Sequence, residues 1–172
     1  MTSGTHQPIA IAPRILDGLR TRDDAGAALC PCALDTEGAP LRCCLRRSRA
    51  GERISLVSYA PLRRWAAEAG VDPGAYDEVG PVFIHTDRCP GPGPDAALGH
   101  PFAETGALRV FRRYSGEGRI TGGTLVRLPD DPGHAQAAVD RALHTAFDDS
   151  EVALVHVRAV EYGCFLYEVR RP

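Results

Sequence analysis

The sequence predicts an α+β domain: one mainly antiparallel, twisted sheet or partly closed barrel of about seven strands, with one main amphipathic helix packed on it. Three observations carry this. Apolar and polar residues alternate over several short stretches, the period of a strand. Two neighbouring pairs of stretches are joined by Gly-bearing turns, Ser115-Gly116-Glu117-Gly118 and Glu161-Tyr162-Gly163, as in hairpins. Only one long stretch, 131–147, has a helical period, and no βαβ alternation points to a doubly wound parallel sheet. A length of 172 residues fits a single domain spanning 1–172 with an interior large enough for a core.

The elements follow in chain order. His6–Ala12 is a short apolar stretch suited to an edge strand, and 14–20 is long enough for one or two helical turns. Residues 21–40 are rich in Asp, Gly, Ala and Pro and read as a long loop. Leu41–Arg47 alternates, with Leu41, Cys43 and Leu45 on one face and Arg42, Cys44 and Arg46 on the other. With the turn Ala50-Gly51-Glu52 and the stretch Arg53–Tyr59 it suggests a first hairpin. Pro61–Ala69 is a helix: Pro61 suits its first position, Leu62, Trp65, Ala66 and Ala69 share a face, and Gly70 suits the residue past its end. Pro81–Thr86 is a strand beginning at proline, and 90–101 is an irregular Pro/Gly loop. Ala107–Tyr114 and Arg119–Leu128 form a second hairpin. Asp131 and Pro132 start the main helix as cap and first residue.

The last hairpin, Val152–Val160 with Cys164–Arg170, can be read to its register. A three-residue loop pairs Val160 with Cys164, Arg158 with Leu166 and His156 with Glu168. Val155, Val157 and Ala159 then share an apolar face with Phe165, Tyr167 and Val169, which should pack on the 131–147 helix.

Composition limits the chemistry. Hydrophobic residues make up 44% and charged residues 24%, values of an ordinary globular chain. A net charge of -2 gives no reason to expect nucleic acid or an acidic membrane as partner. All 20 basic residues are arginine, so Schiff-base, P-loop-lysine and lysine-base chemistries are excluded. No secretion signal or membrane-length apolar run is evident, which predicts a cytoplasmic protein. Its six cysteines should then be reduced thiols.

Two polar clusters set into apolar strands are the candidate sites. His85 sits at a strand end and Cys89 follows in the loop, so nitrogen and sulfur can meet there, as a metal half-site or as a catalytic Cys–His pair with an activated thiolate. His156 and Arg158 point the same way from their strand, roughly 7 Å apart, with Glu168 opposite. A carboxylate beside an imidazole orients it, and a nearby arginine can clamp an anion. Arg42, Cys44 and Tyr114 join His156, Arg158 and Glu168 as candidate ligand-binding residues. The charged strand face at Arg109 and Arg113 reads as a solvated edge. Cys30-Pro31-Cys32 is too short for a usual zinc knuckle, and Cys43 and Cys44 on a strand would face opposite ways. No metal and no cofactor are therefore assigned.

These clusters also carry a resemblance. The block Tyr76–Cys89, with Arg42–Leu45, Gly51-Glu52, Ser58-Tyr59, Arg109–Tyr114, His156–Arg158 and Gly163–Leu166, resembles the bacterial family called domain of unknown function 1203, over about 40–171. Many relatives look like Pro-Cys-Arg where this chain has Pro40-Leu41-Arg42, which argues against any mechanism needing a thiol at 41. Extra residues lie around Leu62–Pro73. The resemblance implies no activity. Three readings stand: a small-molecule binding domain holding an anionic group with arginines and His156; an enzyme pairing Cys89 or Cys44 with a histidine; or an interaction module, for example a homodimer through an edge strand. The first requires His85, His156 and Arg158 to converge in one pocket.

Overall fold

The computed structural model describes residues 6–32, 37–94 and 99–171. Two sheets are present among them, not one. The five-stranded sheet has the order β1-β4-β5-β2-β3, built from β1 (Pro31–Cys32), β2 (Pro40–Leu41), β3 (Arg46–Arg47), β4 (Ile54–Tyr59) and β5 (Gly80–His85). The four-stranded sheet has the order β7-β6-β8-β9, built from β6 (Leu108–Ser115), β7 (Ile120–Arg127), β8 (Val152–Ala159) and β9 (Phe165–Arg170). Three α-helices accompany them: α1 (Pro13–Leu19), α2 (Pro61–Ala69) and α3 (Pro132–Asp148). The fold is thus α+β and mostly antiparallel, as expected, but the described residues form nine strands in two open sheets and no closed barrel.

The helices form where capping and periodicity place them. Pro61 occupies the first turn of α2, and Gly70 closes it in the left-handed region at φ 70°, a conformation that costs glycine least. Asp131 caps α3 by accepting from the His134 N–H at 2.9 Å. Ala135, Val139, Leu143 and Ala146 of α3 are buried against Val155, Val157, Tyr167 and Val169 of the four-stranded sheet. The five-stranded sheet packs Val57, Val82 and Ile84 with Leu16 and Leu19 of α1 in a second core. Leu62 and Trp65 of α2 pack with Tyr114 and Leu154 in a third.

Four expectations are corrected. Leu41–Arg47 is not one strand: residues 42–45 form a turn, with Leu45 at φ 56°, that folds β3 back antiparallel on β2. This piece does not pair with β4, which lies between β1 and β5. The 21–40 stretch is not a free loop either. It includes β1, and Asp23 and Asp24 accept hydrogen bonds from the backbone N–H groups of Ser58 and Ala60 at 3.0 and 2.8 Å. In the last hairpin His156 opposes Glu168 as expected, but a bulge after Val157 sets Arg158 opposite Phe165 rather than Leu166. The inserted residue exchanges two side chains between faces. Leu166 joins the α3 core, and Phe165 joins the core of the five-stranded sheet.

Candidate functional site

The first expected cluster lies inside the protein rather than on a binding face. The β8–β9 register brings His156 Nε2 to 3.4 Å from Glu168 Oε2. The His156 ring lies between the rings of Tyr114 and Phe165, at 4.7 and 5.1 Å between centroids. Only 1% of His156 and 6% of Glu168 is exposed. Burial pushes the His156 pKa below its ordinary value, outweighing the pull of Glu168. Burial opposes ionisation of Glu168 too. It is outweighed by the His156 contact and by Arg170, whose Nε lies 2.6 Å from the carboxylate. Arg158 turns away to Glu78 at 2.6 Å and to the Gly163 carbonyl. Arg170, Glu168 and His156 therefore form a largely buried polar chain, with the Tyr114 ring packed against the imidazole. His156 is closed off from solvent, His85 contacts Cys43, Cys44 and Arg46 instead, and no hydrogen bond or ion pair joins the two histidines among the described residues.

The second expected cluster does assemble, and it is larger than the sequence suggested. β2 pairs parallel with β5 at Leu41 and Phe83, with Arg42 N–H donating to the Phe83 carbonyl at 2.9 Å. Two residues further on, this register carries Cys43 beside His85. The turn then places Cys44 on the same side. Cys43 Sγ is 3.9 Å from Cys44 Sγ and 3.3 Å from His85 Nδ1, and Cys44 Sγ is 3.9 Å from the same nitrogen. Cys89 returns from the following turn, so one ligand atom from each of Cys43, Cys44, His85 and Cys89 lies within 4.8 Å of all the others. The predicted Cys89–His85 pair is thus brought together, while Cys44 joins it instead of the His156 group.

Around this group stands a salt-bridged frame. Arg46 grips Glu52 with both nitrogens, at 3.0 and 2.5 Å, and holds that carboxyl down to about 2. Glu52 Oε1 lies 3.5 Å from His85 Nε2. The Cys44 thiol is drawn below its ordinary value by the hydrogen bond with Cys43, helped by the Arg46 backbone N–H, His85 and the Arg46 charge. The Cys43 thiol is pushed up by the same hydrogen bond and by burial.

Arg42, the residue before this pair, faces a different space. A cleft of about 730 Å³ opens between the sheets, lined by Leu56, Pro81 and Phe83 on one side and Ala159, Tyr162 and Leu166 on the other. Arg42, Arg47, Arg109, Glu104, Glu161 and Cys164 supply its polar lining. Glu104 bridges Arg47 and Arg109, each at 2.6 Å, and Glu161 adds a contact to Arg109 at 3.4 Å. Arg109 is only 4% exposed, so its strand face is not the solvated edge expected.

Arg42 has no such partner. It is 2% exposed, and its Nε and Nη2 both donate to the Phe165 carbonyl while Nη1 donates to that of Pro40. Among the described residues no carboxylate lies within ion-pair distance of it. Burial lowers its pKa to about 10, which leaves it charged at neutral pH; Cys164 is the neighbour whose charge would favour it. Sequence reasoning named Arg42 and missed Glu104, Phe83 and Tyr162 as its surroundings, because they meet only when the two sheets face each other.

Comparison with known proteins adds a family and no activity. The family described as protein of unknown function (DUF1203) matches residues 38–171, which include every residue of the cleft and of the Cys/His group. No curated protein and no solved structure matches the chain. The chain belongs to the DUF1203 family.

Proposed function

We propose that this member of the DUF1203 family is a small-molecule binding domain whose ligand is amphipathic and carries a single anionic group, a carboxylate for preference. The observation that carries this reading is Arg42: a buried guanidinium with carbonyl partners only, on the wall of a cleft of about 730 Å³. Leaving a charge unpaired in a low-dielectric interior costs several kcal/mol, and an entering anion offsets that cost. Arginine has five N–H groups, so donors remain for a charge-assisted contact after three bonds to carbonyls.

The rest of the cleft argues for the ligand's class. Glu104 and Glu161 already neutralise Arg47 and Arg109, so the wall has one uncompensated positive charge and suits a monoanion rather than a polyphosphate. Leu56, Phe83, Ala159 and Leu166 offer an apolar surface to the remainder of the molecule. The volume lies within the range of about 300–1000 Å³ common for small-molecule sites.

The test is thermal-shift and calorimetric titration with matched straight-chain and aromatic monocarboxylates and their neutral amides. The acids should raise Tm and the amides should not. Arg42→Met should weaken acid binding at least about tenfold, the worth of a charged hydrogen bond. Leu56→Asp, at a wall position already 43% exposed, should fold normally and lose acid binding through charge repulsion. An equal response to acids and amides, or no response to any acid, overturns the reading.

A further inference from the structure

We propose that Cys43, Cys44, Cys89 and Nδ1 of His85 form a tetrahedral site for one zinc ion, outside the cleft and built from residues that do not line it. The donor set is three sulfurs and one imidazole nitrogen, a combination that suits Zn²⁺ and disfavours Mg²⁺ and Ca²⁺. Zinc bonds of about 2.3 Å to sulfur and about 2.0–2.1 Å to nitrogen set tetrahedral edges of about 3.8 Å between sulfurs and about 3.6 Å between sulfur and nitrogen. The corresponding separations are 3.9 Å for Cys43–Cys44 and 3.3 and 3.9 Å for the two sulfurs to His85 Nδ1. Cys89 completes the group within 4.8 Å of each.

Adjacent cysteines on a strand could not do this, because their side chains face opposite ways. Residues 42–45 form a turn instead, and that turn aims both sulfurs at His85. The surroundings match a metal centre. His85 presents Nδ1 to the sulfurs and Nε2 to Glu52, 3.5 Å away, the arrangement in which a carboxylate fixes a ligating imidazole's tautomer. The backbone N–H of His85 donates to Cys43 Sγ at 3.3 Å, and that of Gly91 to Cys89 Sγ at 3.4 Å, as thiolate ligands require. Three thiolates with Zn²⁺ leave one net negative charge, and the Arg46 guanidinium that pairs with Glu52 lies beside the group. Binding releases the protons still held by the thiols to solvent, with no redox change. Four protein ligands leave no open coordination position, so the ion's role is structural: it ties the 42–45 turn to the end of β5 and the turn after it.

The experiment uses the full chain, reduced and stripped with chelator under anaerobic conditions, then titrated with Co²⁺ and back-titrated with Zn²⁺. The expected result is one Co²⁺ per chain with intense tetrahedral d–d absorption and thiolate charge-transfer bands, all displaced by one equivalent of Zn²⁺. X-ray absorption of the zinc form should give three sulfur neighbours and one nitrogen. Cys89→Ser, at the least buried of the three cysteines, should weaken Co²⁺ binding more than about 100-fold. Glu52→Gln should weaken it about 10–100-fold, as loss of an orienting partner does. Cys30→Ser, at an exposed cysteine outside both the group and the cleft, should leave Co²⁺ binding unchanged. If Cys89→Ser fails to fold, His85→Gln with circular dichroism as the folding check takes its place. Octahedral, weak or absent Co²⁺ binding, or a tetrahedral spectrum untouched by Cys89→Ser or His85→Gln, overturns the proposal.

Discussion

His156 is a neutral imidazole in a place where a charged one would be penalised. In an unfolded chain it titrates near 6.5, and in the fold below that value, because burial outweighs Glu168. Between the two values the unfolded chain binds the proton and the folded one does not, so stability falls as pH drops below about 6.5. Glu168 acts lower on the scale. Its folded value lies beneath 4.5, so its contribution is present above 4.5 and is lost as pH falls through the depressed value. His156→Phe should therefore flatten urea-unfolding midpoints between about pH 7 and pH 5, and should also shrink the lower limb, because Glu168 loses its His156 contact and keeps only Arg170. His6, also depressed by burial, supplies the slope that remains. An unchanged slope in this variant would mean that His156 is not the group responsible. Arg42 is the converse case, a charge buried without a counter-ion, and its dependence on an entering carboxylate is the sharpest test at this scale.

At the scale of elements, α3 carries the largest core. Leu143 is fully buried between the helix and the four-stranded sheet, and Leu143→Ala should cost about 2–5 kcal/mol in denaturant unfolding. The Asp131 cap is worth less: Asp131→Ala should cost about 1 kcal/mol, since it leaves the His134 N–H without its acceptor. A larger loss for the cap than for the core would contradict this packing. Both features were readable in the chain, from the Asp-Pro start and the apolar period. The 42–45 turn was not. Its residues alternate as a strand would, and only the return of β3 along β2 shows that the chain reverses there. The bulge after Val157 escaped for a similar reason: the register of a hairpin follows from its loop, but an inserted residue depends on what each sheet needs on its inner face. Phe165 and Leu166 serve two different cores.

Across the whole molecule, the cleft and the Cys/His group share one short turn. Arg42 lines the cleft and Cys43 faces His85, so an ion that orders the turn also orders Arg42. Zinc and a carboxylate ligand should accordingly tighten each other's binding, by one and the same factor of about five or more. Calorimetry of the same acid with zinc-free and zinc-loaded protein measures it, and equal affinities would show the two sites to be independent. No helix among the described residues is long and apolar enough to cross a membrane.

The sequence by itself determined the elements whose signals are local. The bounds of α2, the cap and face of α3, the hairpin of β6 and β7 and the pairing of His156 with Glu168 all follow from neighbours in the chain. The division into two sheets, the four-residue Cys/His group and the isolation of Arg42 were decided by tertiary structure. Cys43 and His85 lie 42 residues apart, and Arg42 and its Phe165 acceptor 123 apart. Such contacts depend on a parallel β2–β5 pairing and on one sheet facing another, and periodicity and turn chemistry carry no information about either.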